Sequence, residues 1–180
     1  YDGMLKWDKH SIDINKITLP QTEVMLILAD PDKAFQYRFL PNNGIGLLRM
    51  EFIINNTIRI HPMALIKFKE LKDEEARKKI DEMTQQYDRK EDYFTDLLSQ
   101  SVATMAAAFY PKDVIVRMSD FKSNEYANLI GGRQFEPKEE NPMIGFRGAS
   151  RYYHPLYKKA FKLECEAMRI VREEMGLNNV

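Results

Sequence analysis

Three arginines, Arg49, Arg117 and Arg147, each fall at or near the C-terminal end of a segment that reads as a β-strand. In parallel α/β folds, ligands collect at that end of the sheet. A guanidinium fork matches phosphate or carboxylate oxygens two at a time. Three such forks brought together would hold a dianion. Spacing alone does not separate that arrangement from three salt-bridging surface arginines. Asp120, Asn124 and Glu125 follow the strand that ends in Arg117, within Arg117-Met-Ser-Asp-Phe-Lys-Ser-Asn-Glu-Tyr126. Polar groups just past a strand end can line a pocket, or they can cap the next turn through their own backbone. The pattern leaves both open.

The other reactive residue types point to structure. Cys165, the only thiol, lies on an apolar helical stripe between Phe161 and Met168, which predicts a buried core cysteine. Glu164 and Glu166 flank it and would raise a thiol pKa. His10, His61 and His154 have no zinc-type spacing. His61 and His154 each precede a proline, which places both at helix starts in structural roles. Gly44-Ile-Gly46 lacks a third glycine and precedes its strand, so it is a weak dinucleotide signal. No GxxxxGK[ST] loop occurs.

The elements that must position the arginines read as follows. Residues 1–22 are an irregular lead-in. The apolar run from Glu23 to Ala29 predicts a strand buried on both faces. Asp30-Pro31 suits a helix start, and 32–40 a short helix. Asn42-Asn43-Gly44 is a turn signal before a second strand from Ile45 to Glu51, which Gly44 and Gly46 weaken. Ala76, Ile80, Met83 and Tyr87 make one helical face, and Phe94, Leu98, Val102, Met105 and Phe109 make the next. Pro111 breaks the pattern. Val114–Met118 is a third strand, 119–142 a long polar loop and Met143–Arg147 a weak fourth strand. Tyr157, Phe161, Cys165, Met168, Val171 and Met175 form the stripe of a last helix that Gly176 closes. This alternation predicts an α/β fold with parallel strands, a (β/α) barrel or a doubly wound sheet. A closed barrel of that type needs about eight strands, and the sequence supplies four.

Composition narrows the function classes. The chain has 180 residues, 27 Lys plus Arg against 27 Asp plus Glu, and 44% hydrophobic residues. Zero net charge, with no basic patch interleaved with aromatics, gives no case for nucleic acid or an anionic membrane surface. A single cysteine excludes an internal disulfide framework and fits a reducing compartment. No apolar run approaches 18 residues and no signal peptide is visible. The first residue is Tyr1, so the chain reads as a fragment or processed product.

Several segments in order resemble one family. Gly44-Ile-Gly-Leu-Leu-Arg-Met-Glu-Phe-Ile-Ile-Asn55 looks like the first arginine motif of the PEP-utilising enzymes. Val114-Ile-Val-Arg-Met-Ser-Asp-Phe-Lys-Ser-Asn-Glu-Tyr-Ala-Asn128 is similar to the phosphoenolpyruvate synthases within that family. Asn141-Pro-Met-Ile-Gly-Phe-Arg-Gly-Ala-Ser-Arg151, Leu163–Ala167 and the closing Met-Gly-Leu-Asn-Asn-Val also fit. The resemblance covers about residues 23–180, and Tyr1–Leu5 looks like the exit from a preceding phosphohistidine domain.

The resemblance implies the first half of a (β/α)8 TIM barrel that binds pyruvate and phosphoenolpyruvate, about four βα units truncated before strand five. It implies a cytoplasmic parent enzyme that converts ATP, pyruvate and water to AMP, phosphoenolpyruvate and phosphate, through a phosphohistidine carried by another domain of the same chain. Arg49, Arg117 and Arg147 map onto the family's substrate-binding arginines. Asp120 and Asn124 are candidate pocket-lining residues. The family's Mg²⁺ ligands and catalytic cysteine lie in the half of the barrel beyond this sequence, so no metal ligand is expected here and Cys165 does not match that cysteine. The segment is expected to be inactive alone, to bind ligand weakly, and to self-associate through half-barrel surfaces. A stand-alone anion-binding or regulatory module is the alternative. A pyruvate phosphate dikinase fragment is a third reading, which Phe121–Tyr126 argues against.

Overall fold

Three short parallel strands carry the architecture of the computed structural model, which describes residues 3–18 and 20–180. They are β1 (Leu26–Leu28), β2 (Gly44–Arg49) and β3 (Asp113–Arg117), in the order β1-β2-β3. The β2/β3 register ends on Arg49 opposite Arg117. The described residues also form eight α-helices: α1 (Ala34–Tyr37), α2 (Met50–Ile53), α3 (Pro62–Ile66), α4 (Glu74–Met83), α5 (Lys90–Phe109), α6 (Ser123–Ala127), α7 (Ala149–Tyr153) and α8 (Lys158–Arg169). α2 and α8 each run on into a wider π-type turn, Ile54–Ile58 and Ile170–Glu174. The fold is α/β with a small parallel sheet, as the alternation predicts.

Local chemistry explains the main boundaries. Asp30 Oδ1 accepts from the Asp32 backbone N–H at 3.0 Å and Pro31 opens the short 3₁₀ turn that leads into α1. Gly44 starts β2 at φ +130°, where a Cβ would collide with the Asp113 carbonyl. The glycine read from the sequence as weakening β2 is what lets β2 and β3 approach. Phe94, Leu98, Val102, Met105 and Phe109 of α5 are all buried. This helix packs on α1, α3 and α8 and forms the spine of the core. Gly176, at φ +72°, follows the last turn as the left-handed residue that ends a helix.

Four expectations are corrected. The first strand is three residues long, and it is buried on one face only: Leu28 is covered while Ile27 is 71% exposed. Leu28, Ile45, Leu48 and Val114 face the helices; Ile27 and Ile115 share the uncovered face. Second, Met50 and Glu51 belong to α2, not to the second strand. α2 and α6 carry no helical signal, because four or five residues are too few to show a helical period, whereas His61-Pro62 marks the start of α3.

Third, Met143–Arg147 forms no strand, so the described residues contain three strands rather than four. Its backbone is held by two side chains instead: Phe146 N donates to Glu139 Oε1 at 2.8 Å, and Asn141 Oδ1 accepts from Met143 N at 3.1 Å. The far edge of β3 meets the end of the chain, where Val114 N donates to Asn179 O at 2.8 Å. Fourth, α8 turns Glu164, not Cys165, into the core. Its buried positions are Ala160, Glu164 and Ala167, followed by Val171, while Cys165 is exposed. The apolar stripe misled because a carboxylate occupies the innermost position.

Of the lead-in, Tyr1, Asp2 and Leu19 lie outside the described residues; Met4, Leu5 and Trp7 are exposed. No helix among the described residues is long and apolar enough to cross a membrane.

Candidate functional site

The C-terminal ends of β2 and β3 open on a cavity of about 520 Å³. Arg49 and Arg117 are register partners on adjacent parallel strands, so their side chains leave the sheet on the same side. The third arginine arrives from the loop before α7. All three line the cavity, with Glu51, Phe52, Asp120 and the first turn of α6. Asn124 is exposed and stands outside the lining; Asn128, one turn later, takes the place expected of it.

Four cations (Arg49, Arg117, Lys122, Arg147) face three carboxylates (Glu51, Asp120, Glu125) around this space. Arg117 Nη2 donates to Glu51 Oε1 at 2.7 Å. Arg147 grips Asp120 with two bonds, Nε to Oδ1 at 3.2 Å and Nη2 to Oδ2 at 3.0 Å. Lys122 Nζ lies 3.3 Å from Glu125 Oε1. Among the described residues Arg49 alone of the four has no carboxylate partner. Its guanidinium lies over the Phe52 ring, 4.6 Å from the centroid. The cavity therefore carries one uncompensated positive charge, at the end of β2. The salt-bridging alternative stated for all three arginines holds for two of them, Arg117 and Arg147. The structure realises both readings, and Arg49 is what distinguishes the cavity from a set of salt bridges.

The corner that presents Asp120 is anchored from below. Ser119 N donates to Glu164 Oε2 at 3.1 Å and Ser119 Oγ to Glu164 Oε1 at 2.5 Å. Tyr152 OH donates to Ser119 O at 2.9 Å. Ser119, Tyr126, Tyr157 and Glu164 close a ring of four oxygens, with Tyr126 OH 2.5 Å from Ser119 Oγ and 2.6 Å from Tyr157 OH, and Tyr157 OH 2.9 Å from Glu164 Oε1. Three hydroxyl protons serve four contacts. Burial raises the Glu164 pKa, against the hydrogen bonds from Ser119 and Tyr157. Burial also pushes both tyrosines well above their ordinary value.

Arg151 continues the network. Its guanidinium packs on the rings of Tyr126 and Tyr157, 4.0 and 4.2 Å from the centroids, and forms a two-pronged pair with Glu136. Glu136 Oε1 also meets His61 Nε2 at 2.8 Å. His61 Nδ1 accepts from Met63 N at 3.1 Å and caps α3, the structural role its Pro62 neighbour suggests. Burial lowers the His61 pKa, opposed by Glu136. His154 likewise caps a turn, its Nδ1 accepting from Leu156 N. Cys165 stands apart from all of this, and its thiol pKa is raised by partial burial and by Glu164.

Sequence reasoning missed the part that Glu51, Glu139 and Glu164 play in setting the geometry. The signal for Glu51 was its place two residues after Arg49, in the first turn of a helix, where a carboxylate is favoured by the helix dipole. Glu164 gave none, since Ser119, which supplies two of its three hydrogen bonds, lies 45 residues away.

Magnesium was implied for the parent enzyme. Glu51 and Asp120 are engaged by guanidinium groups, and no group of three or more His, Cys, Asp or Glu that could hold a metal occurs among the described residues. This set does not fit Mg²⁺.

The family model "PEP-utilising enzyme, PEP-binding domain" matches residues 8–179. The chain is similar over its whole length to proteins named phosphoenolpyruvate synthase. The Synechocystis sp. protein is 54% identical over 182 residues, which cover 22% of that relative. The Deinococcus radiodurans protein is 49% identical and the Escherichia coli K12 protein 47%, each over 180 residues and 23% of the relative. The chain thus spans less than a quarter of the length of these relatives.

Proposed function

The chain belongs to the PEP-binding domain family of the PEP-utilising enzymes, and from that premise we propose that its cavity binds the phosphoryl group of phosphoenolpyruvate within a larger phosphoenolpyruvate synthase. The observation that carries the reading is the in-register pair Arg49 and Arg117 at the strand ends, joined by Arg147, with one positive charge left over at Arg49. Phosphoryl transfer asks a protein for positioning and charge neutralisation rather than covalent chemistry. An arginine cluster with its planes fixed by Glu51 and Asp120 offers both. Residues 23–180 would form the first part of a (β/α)8 barrel, and residues 1–22 the link from a phosphohistidine domain. The proposed overall reaction joins pyruvate to a phosphoryl group derived from ATP in a cytoplasmic, Mg²⁺-dependent enzyme. The segment supplies the substrate arginines and no catalytic acid, base or nucleophile.

The test is turnover by the intact protein with pyruvate and ATP, for the parent and for Arg49→Ala and Arg117→Ala. Both variants are expected to lose most activity. Near-normal turnover in both would overturn the assignment.

A further inference from the structure

Glu51 lines the cavity yet is only 5% exposed. Its Oε1 accepts two bonds of 2.7 Å, one from Arg117 Nη2 and one from the Asp120 backbone N–H. Asp120 then takes the two-pronged bond from Arg147, and its Oδ2 also lies 3.5 Å from Arg117 Nη1. One carboxylate oxygen on α2 therefore ties together the end of β3, the corner after it and the loop that carries Arg147. The second oxygen, Oε2, and Arg117 Nε are buried with no hydrogen-bond partner among the described residues. Leaving a buried carboxylate oxygen and a guanidinium N–H unmatched is costly. Both atoms belong to residues that line the cavity.

Resting on the reading of the cavity as the phosphoenolpyruvate site, we infer that Glu51 is a positioning residue: it fixes the planes of Arg117 and, through Asp120, of Arg147, so that their free N–H groups converge on the phosphoryl oxygens. It also neutralises Arg117, which confines the excess charge to Arg49. The role needs an oxygen acceptor at Oε1 more than it needs the negative charge.

The experiment compares Glu51→Ala, Glu51→Gln and Arg49→Gln in the intact protein by calorimetric titration with phosphoenolpyruvate, with steady-state kinetics and a melting curve for each. Glu51→Ala is expected to weaken binding by about tenfold or more, because Arg117 and the Asp120 backbone N–H both lose their acceptor. Glu51→Gln, which keeps an oxygen able to accept from Arg117 and Asp120, is expected to bind within about threefold of the parent. A purely structural role would move the melting temperature without this split between alanine and glutamine. The inference is overturned if Glu51→Gln loses as much affinity as Glu51→Ala, or if neither loses any while Arg49→Gln does; in that case the site reading stands without it. If Arg49→Gln also binds normally, the site reading fails and the inference falls with it. Should Glu51→Ala not fold, the glutamine variant and the parent carry the test alone, and a tenfold loss in glutamine overturns the inference.

Discussion

Replacing Arg49 by glutamine removes the one cavity cation that no carboxylate offsets. Two unit charges about 4 Å apart interact by about 4 kcal/mol at an effective dielectric constant near 20. Arg49 is half-buried at an open cavity, so solvent and salt reduce that to about 2 kcal/mol. At about 1.4 kcal/mol per tenfold, phosphoenolpyruvate should bind about 30-fold more weakly to Arg49→Gln. The assay is calorimetric titration of the intact protein at two ionic strengths. Parent affinity should fall with added salt, and the dependence should be shallower in the variant. Arg49→Lys keeps the charge but loses the planar fork and its stacking on Phe52, so it should recover only part of the loss. Binding by Arg49→Gln within twofold of the parent would refute the reasoning, since the excess charge would then play no part in holding the ligand.

Other expectations concern the supporting structure. Burial holds the folded-state pKa of Glu164 above its ordinary 4.5, so the folded protein binds that proton more tightly than the unfolded chain; between 4.5 and the raised value its contribution to stability falls as pH rises. The melting temperature of the parent relative to Glu164→Gln should therefore decline from pH 4.5 upward, and a flat difference would refute it. His61 works in the opposite direction, its stabilisation present above pH 6.5 and lost on acidification, but it is common to both proteins and cancels. Phe94→Ala should cost about 3–5 kcal/mol, read by denaturant unfolding, because that ring is fully buried on the central helix. Cys165→Ser should change stability by less than about 0.5 kcal/mol, and the native thiol should react with an alkylating reagent without denaturant, because it faces outward from α8.

What the sequence disclosed and what it hid have separate physical causes. The stripe Phe94–Phe109 was legible because twenty consecutive helical residues repeat one period and bury one face. Arg49 and Arg117 were legible because position at a strand end depends on the local run alone. Arg147 was found for a partly mistaken reason: it was read as ending a strand, whereas a loop clamped by Glu139 and Asp120 delivers it. Glu164 was hidden because its environment is built from Ser119, Tyr126, Tyr157 and Arg151, which no window of sequence brings together. Cys165 was misplaced for the same reason, since the buried hydrogen bonds of Glu164, together with Ala160, Ala167 and Val171, turn that face of α8 inward.

The most direct test of the central claim is a crystal structure of the intact protein with phosphoenolpyruvate bound. The account predicts phosphoryl oxygens within hydrogen-bond distance of Arg49 and Arg117, with Glu51 still bonded to Arg117 and Asp120 to Arg147. A phosphoryl group bound elsewhere, with these arginines left in their carboxylate pairs and Arg49 still resting on Phe52, would contradict it.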